Sequence, residues 1–170
     1  MACNQTLSGI PRDCEPSIGG LKRLLLANRE DVTAITVNND MVSAITLAST
    51  KKFKEYRFLD ETASATSTYQ INKQNGSKYV QTDIVLVFSR METAKRVEIS
   101  ALANNDMIGI GEDMNGKFWL YGKDNEITAT AGDGSTGTAR ADRNGYGITL
   151  QDNSLELPYE VDADIIDDLL

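Results

Sequence analysis

Residues 32–47, VTAITVNNDMVSAITL, carry one short pattern twice, VTAITV at 32–37 and VSAITL at 42–47. Asn38, Asn39 and Asp40 stand between the copies, and these residue types tolerate the left-handed backbone that a tight turn needs. The stretch therefore reads as a β-hairpin. Alternation places Thr33, Ile35 and Val37 on one side of its first arm and Val32, Ala34 and Thr36 on the other, so one face is free to be buried.

The same grammar extends outward. GGLKRLLLAN (19–28) reads as a first strand entered from a glycine pair, and ATSTYQIN (65–72) and KYVQTDIVLVF (78–88) flank Asn75-Gly76, a strong short-range hairpin signal. In the second of these arms Val80, Thr82, Ile84, Leu86 and Phe88 share one face at period two and are assigned to the core. MIGIGED (107–113) and KFWLYG (117–122) flank Met114-Asn115-Gly116, and Trp119 is placed in the core with them. YGITLQ and ELPYEV close the strand list. One helix is expected after Ser89-Arg90-Met91-Glu92, which reads as a capping box in which the Ser89 hydroxyl and the Glu92 carboxylate satisfy each other's backbone donors. Its stripe is Met91, Ala94, Val97, Ala101 and Leu102, and Ser89→Ala is expected to cost about 1 kcal/mol. The ending DADIIDDLL offers Ile165, Ile166, Leu169 and Leu170 as a short docking helix or a sticky arm. The fold expected is mainly β, an antiparallel β-sandwich or open barrel with one packed α-helix, in a single domain spanning 1–170. It carries an N-terminal arm 1–18, an extended loop or hairpin 49–78 and an acidic tail 160–170.

Composition narrows the chemistry. The 170 residues include no histidine, which removes the usual general base, the triad imidazole and the imidazole zinc ligand, so no enzymatic activity and no cofactor is expected. Cys3 and Cys14 fit neither a C-x-x-C pair nor a four-ligand zinc pattern; free thiols are the preferred reading and a disulfide tying the arm the lesser one. Gly132–Thr138 resembles a phosphate loop but lacks its lysine and a following helix, and reads as a flexible connection. Gly109-Ile110-Gly111 does not continue to a dinucleotide-binding spacing, and the paired acids Asp60-Glu61 and Glu112-Asp113 have no calcium-loop pattern. No metal site is expected. The N-terminus lacks a basic segment followed by an apolar one, and no apolar run is long enough to span a bilayer, so neither a secretion signal nor a membrane anchor is expected. The net charge of −8 argues against a surface that grips phosphates.

RDCEPSIGGLKRLLLAN near the start, YVQTDIVLVFSRMETAKRVEISALAN with its strand-then-helix order, and KFWLYGKDN through GTARADRNGYGITLQDNSLELPYEV together make the chain resemble a family. It is the tail-tube-like virion structural proteins of tailed bacteriophages, in particular those of phages of gut Bacteroidetes. The resemblance implies a protein of the virion tail, assembled in the host bacterial cytoplasm, that forms six-membered rings stacking into a hollow tube. Sheets of neighbouring subunits join edge to edge around the lumen, and double-stranded DNA passes without tight binding. The other implied partners are further copies of the chain and other tail proteins. Carried onto these residues, 49–78 becomes the inter-ring element, with Lys51, Lys52, Lys54, Tyr69, Asn75 and Gly76 as contact candidates, and Ser89 to Leu102 the helix outside the sheet.

A ring of six would carry 6 × (−8) = −48 formal charges. Asp31, Asp40 and Glu112, near hairpin turns, are the candidates for charge lining the lumen. Two other readings stand beside the tube: a head-to-tail connector or tail-ring protein of the same virion, and a β-sandwich binding or adhesion module, which would need an aromatic platform or a calcium site. In the null case these acids only solubilise the surface.

Overall fold

In a computed structural model, which describes residues 7–170, the leucine run of the first strand, β1 (Leu21–Asn28), is covered on both of its faces. Leu25 and Ala27 enter one core, while Leu24 and Leu26 enter a second. The chain continues through a 3-10 turn to β2 (Val32–Asn38), β3 (Met41–Leu47), β4 (Lys54–Arg57), β5 (Ala63–Asn72), β6 (Ser77–Ser89), α1 (Thr93–Asn104), β7 (Met107–Asp113), β8 (Phe118–Tyr121), β9 (Thr128–Ser135), β10 (Gly145–Ser154), β11 (Tyr159–Val161) and α2 (Ile166–Leu169). These strands make a seven-stranded sheet in the order β2-β3-β11-β8-β7-β1-β4 and a four-stranded sheet in the order β5-β6-β10-β9. The fold is a mainly β sandwich with a packed helix. Every pairing is antiparallel except β11 with β3, which runs parallel through Glu160–Met41 and Val161–Val42.

The two cores have different builders. Between the sheets lie Leu24 and Leu26, Ile84 and Leu86 of β6, and Ile148 and Leu150 of β10. The other core uses the large sheet alone, drawing on Val32 and Val42 near one end of the strand order and on Phe53, next to β4, at the other, with Ile166 and Leu169 among them. Strands from both ends meet in one cluster only if the sheet curls, and α2 fills the resulting concavity. The ending is thus a docking helix rather than a sticky arm, fixed by the Phe53 N–H on the Leu169 carbonyl at 3.0 Å, although Leu170 stays exposed.

The hairpin 32–47 forms with Asn39 and Asp40 both at positive φ, 50° and 61°. Its face assignment needs correction. Register shifts at Val32/Ala34 and Thr36/Val37 bring Val32 onto the same core as Ile35 and Val37, because a bulge adds a residue and flips the alternation. The second hairpin pairs Asn72 with Ser77, so its turn has four residues, 73–76; Asn72 and Asn75 side chains accept backbone N–H groups within it, and Gly76 takes φ 73°. The inward face Val80, Thr82, Ile84 and Leu86 is buried as expected.

Three further expectations change. Ser89 does not cap the helix: it ends β6, paired with Gly145, and α1 begins four residues later with Glu92 at the cap position and no side-chain cap bond. Strand pairing holds Ser89 extended, Arg90 then turns at φ 62°, and Glu92 instead lies near Arg90 and Lys95. The packed stripe is Lys95, Ile99 and Leu102, not Met91, Ala94, Val97 and Ala101, which are exposed. Residues 132–135 belong to β9 rather than to a flexible connection. The segment 49–78 keeps the expected hairpin, β5 with the start of β6, and adds a strand of its own: β4 pairs with β1, Phe53 is buried, and Ala63 packs between the sheets.

On β7, Ile108 and Ile110 face one core and Gly109 and Gly111 the other, where a side chain has no room. A Cβ on Gly109 would lie 2.9 Å from Leu26 Cδ2 and 3.1 Å from Ile127 Cδ1. Gly109→Ala is expected to lower stability by about 1–3 kcal/mol through overpacking, read as a lower urea midpoint with an unchanged slope; an unchanged midpoint contradicts the packing described. Ser89→Ala, by contrast, is expected to stay within about 0.5 kcal/mol, and a loss near 1 kcal/mol would restore the capping box.

Candidate assembly surfaces

The two sheets leave four outer strands with an unpaired edge, and their compositions differ. β4, KEYR, has three charged residues in four. β5, ASATSTYQIN, has none in ten, β2 has none in seven, and β9 has only Asp133. Charge on an edge strand blocks pairing with another chain, and a long neutral edge invites it. The four-stranded sheet is therefore open to extension at both ends.

Its outer face follows from register. Residues opposite the buried ones are Ser64, Thr66, Thr68 and Gln70 on β5, Tyr79, Gln81, Asp83, Val85 and Val87 on β6, and Thr149 and Gln151 on β10, so the face is uncharged around Asp83 and mixes polar side chains with the exposed Val85. Gln151 Nε2 donates to Asp83 at 2.8 Å and Gln81 Nε2 at 3.2 Å, fixing a carboxylate in the middle of an otherwise uncharged surface. No lysine projects from this face. The single arginine that reaches it, Arg143, comes from the loop after β9 and is taken up by Asp133. Neither Asp83 nor Asp133 was marked out by the sequence reading; the period-two register with buried β6 residues is the signal that places Asp83 outward.

The expected lumen acids fare unevenly. Asp40 is exposed in its turn. Asp31 is half-buried and pairs with Lys51 at 3.1 Å. Glu112 is not a free surface charge: only 5% exposed, it accepts from Lys22 Nζ at 2.7 Å and from Arg23. Arg23 also bonds Glu55, which bonds Arg57, so an ion chain across β7, β1 and β4 closes one end of the curled core. Burial alone would push the Glu112 carboxyl up, but the hydrogen bonds and charges of Lys22 and Arg23 outweigh it and hold the group below its ordinary value.

The inter-ring candidates are scattered. Lys51 is engaged with Asp31, and Lys52 donates to the Asp168 carbonyl at 2.5 Å, so both serve the fold. Lys54 is exposed on β4. Tyr69 lies near the end of the β5–β6 hairpin under Lys78, whose Nζ is 5.1 Å from the ring centroid, and with Ile71 and Tyr79 it leaves an exposed apolar tip above Asn75-Gly76. The arm leaves the body at Ile18, whose N–H donates to Asn115 Oδ1 while Asn115 Nδ2 returns to the Ile18 carbonyl, both at 2.9 Å; beyond it Leu7 and Ile10 are almost wholly exposed. Cys14 is exposed and unpaired among the described residues, and Cys3, the other half of the alternative arm disulfide, lies outside them.

One buried acid has no cation. Asp152, facing inward from β10, accepts from the Gly122 N–H at 3.0 Å and from Ser154 Oγ, and burial pushes its carboxyl above the ordinary value against both bonds. It ties the turn after β8 to the small sheet. Among the described residues no group of three or more acids or cysteines is placed to hold a metal ion, and no helix is long and apolar enough to cross a membrane. Comparisons with protein-family models, curated protein sequences and solved structures return no match to this chain.

The ion chain carries a pH signature. A depressed folded-state value contributes stability that is present above the ordinary carboxyl value of 4.5 and is lost as pH falls through the lower folded value. Glu112→Gln is expected to cost about 1–3 kcal/mol near neutrality by leaving buried donors without a carboxylate. Urea unfolding near neutrality and again at about pH 3 checks it, since the carboxylate's contribution declines once pH falls below the ordinary value and the difference should shrink there; an equal penalty at both contradicts the assigned role.

Proposed function

We propose that this chain is a structural protein of a phage tail tube, in which copies join through the free edges of the four-stranded sheet into stacked, six-membered rings. The observation that carries the proposal is the pairing of two nearly uncharged open edges, β5 and β9, on a sheet whose outer face is Ser/Thr/Gln-rich. Pairing the β5 edge of one copy with the β9 edge of the next is a head-to-tail contact, and such contacts either close into rings or run on as filaments. Closure removes every unpaired edge of that sheet at once.

Six copies of a four-stranded sheet give 6 × 4 = 24 strands. At about 4.8 Å per strand the circumference corresponds to a backbone diameter of about 37 Å for upright strands and about 48 Å for strands tilted by 40°. The outer face of the small sheet then lines the lumen. Its acids are Asp83 and the Arg143-paired Asp133, rather than Asp31 and Glu112, and it presents no unpaired cation to a passing phosphate backbone. Duplex DNA crosses such a wall without the counterion release that drives tight binding. Virion localisation and contacts with other tail proteins follow from the same reading.

Negative-stain microscopy and sedimentation of the purified protein test it, with a DNA mobility assay at low salt. Rings or tubes of 18.6 kDa subunits, with no salt-sensitive retention of duplex DNA, are expected. A lone monomer at high concentration overturns the assembly, and tight salt-sensitive DNA binding by intact rings overturns the conduit.

A further inference from the structure

Two surfaces of the molecule have complementary chemistry. The first is a cleft of about 400 Å³ between β4 and α1. Tyr56, Phe88 and Leu102 form its apolar floor, and Lys54, Arg57 and Lys95 line it. Arg57 is paired with Glu55, which also takes Arg23, Lys95 lies near Glu92 and bonds the Ser89 carbonyl, and Glu98 accepts from the Tyr56 hydroxyl at 2.5 Å. Lys54 has no ion-pair partner among the described residues. The cleft therefore presents an apolar floor beside one unpaired cation, Lys54, in a chain whose net charge is −8.

The second surface is the connection between β10 and β11. Leu155 and Leu157 are 59% and 45% exposed, spaced two residues apart with Glu156 between them. The Leu155 N–H is held by Asp124 Oδ2 at 3.1 Å, and Glu156 accepts from the Tyr159 hydroxyl, so the segment is fixed in place. Asp40, Asp124 and Glu156 all surround Tyr159, and the hydrogen bond to Glu156, burial and these negative charges push its phenol up to about 12. Lys123 stacks 4.7 Å from the ring centroid and pairs with Asp124 at 3.1 Å, which leaves Glu156 and Asp40 as the acids of the collar without a cation. This is an apolar knob inside an acidic collar.

The knob and the cleft belong to different parts of the large sheet, β11 and β4 standing four inter-strand steps apart in its order. They lie on the sides that a ring brings together. Leu157 and Pro158 share a pocket wall with Ser64, Ala65 and Ser67 of β5, whereas α1, the other wall of the cleft, packs against β9.

We propose that the Leu155–Leu157 knob of one copy docks into the β4–α1 cleft of a second copy, a lateral contact that reinforces the β5-to-β9 seam. The proposal rests on the ring reading above and specifies its second contact. The two leucines cover the aromatic floor, and Glu156 meets Lys54. The charge complementarity fixes which neighbour is accepted and in which direction, since a knob against a knob or a cleft against a cleft brings like charges together. Charged β4, a poor partner for backbone pairing, thereby has a role at the interface through its side chains.

A charge swap tests the contact, read as the concentration at which rings form in sedimentation. Lys54→Glu and Glu156→Lys are each expected to raise that concentration roughly tenfold or more, while the chain carrying both returns close to the parent. Leu157→Asp should weaken assembly and not be rescued by Lys54→Glu. Urea midpoints near the parent's establish that each variant is folded, and Lys54→Gln with Glu156→Gln replaces any reversal that is not. If the parent assembles and the single reversals assemble equally well, or if the double variant is as weak as the singles, the knob-and-cleft contact is wrong and the ring reading stands. If the parent itself remains an 18.6 kDa monomer, both fall.

Discussion

The leucine run of β1 is the constraint on which the rest of the structure depends. Burying a leucine gains about 1.5–3 kcal/mol, while ordering its backbone and side chain costs about 1.5–3 kcal/mol, so a strand with only alternate residues buried falls short of breaking even by itself. β1 buries Leu24, Leu25, Leu26 and Ala27 in succession and therefore needs cover on both faces. The four-stranded sheet supplies one cover. The other comes from the large sheet curling on itself around α2 and Phe53, and the chain of Lys22, Glu112, Arg23, Glu55 and Arg57 seals that second core where β1, β4 and β7 end together.

This division of labour leaves the small sheet with one committed face. Its inner side is held by Ile84, Leu86, Ile148 and Leu150, and its two outer strands, β5 and β9, have no strand partner beyond the sheet, although Ile127 at the entry to β9 is bridged to Met107. A solvated edge usually carries lysine, proline or a bulge against unwanted pairing. β4 follows that rule, and β5 does not. The proposed ring gives the difference a cause: the nearly neutral edges of the small sheet are where neighbours join by backbone, and charged β4 is where they join by side chains.

Much of this fold was legible because strand signals are local. Asn39-Asp40 and the repeated VTAITV/VSAITL pattern give the first hairpin, and period two from Val80 to Leu86 gives a core face that no tertiary effect disturbed. Local rules failed where a long-range pairing outbid them. Ser89 has a capping residue's identity, but β10 holds it in the sheet through Gly145. Thr128–Ser135 is too rich in glycine and alanine to read as a strand, yet β10 recruits it as an edge, and Tyr146 covers the space that a side chain at Gly134 would fill. Glu112 looks like one of many surface acids until the bulge between Leu21 and Arg23 brings two cations to it from β1. The assembly surfaces were the least legible, because an open edge is a property of strand order, and strand order is not written in any single segment.

Hydrogen–deuterium exchange compared between dilute and concentrated protein tests the central claim most directly, because it reads the backbone of each edge separately. The account predicts that amides of β5 and β9 become strongly protected as the protein assembles, while those on the open side of β4 change little. Protection confined to β2 or β4, or unchanged exchange along β5 and β9 in an assembled particle, would contradict the claim that the four-stranded sheet is the element through which copies join.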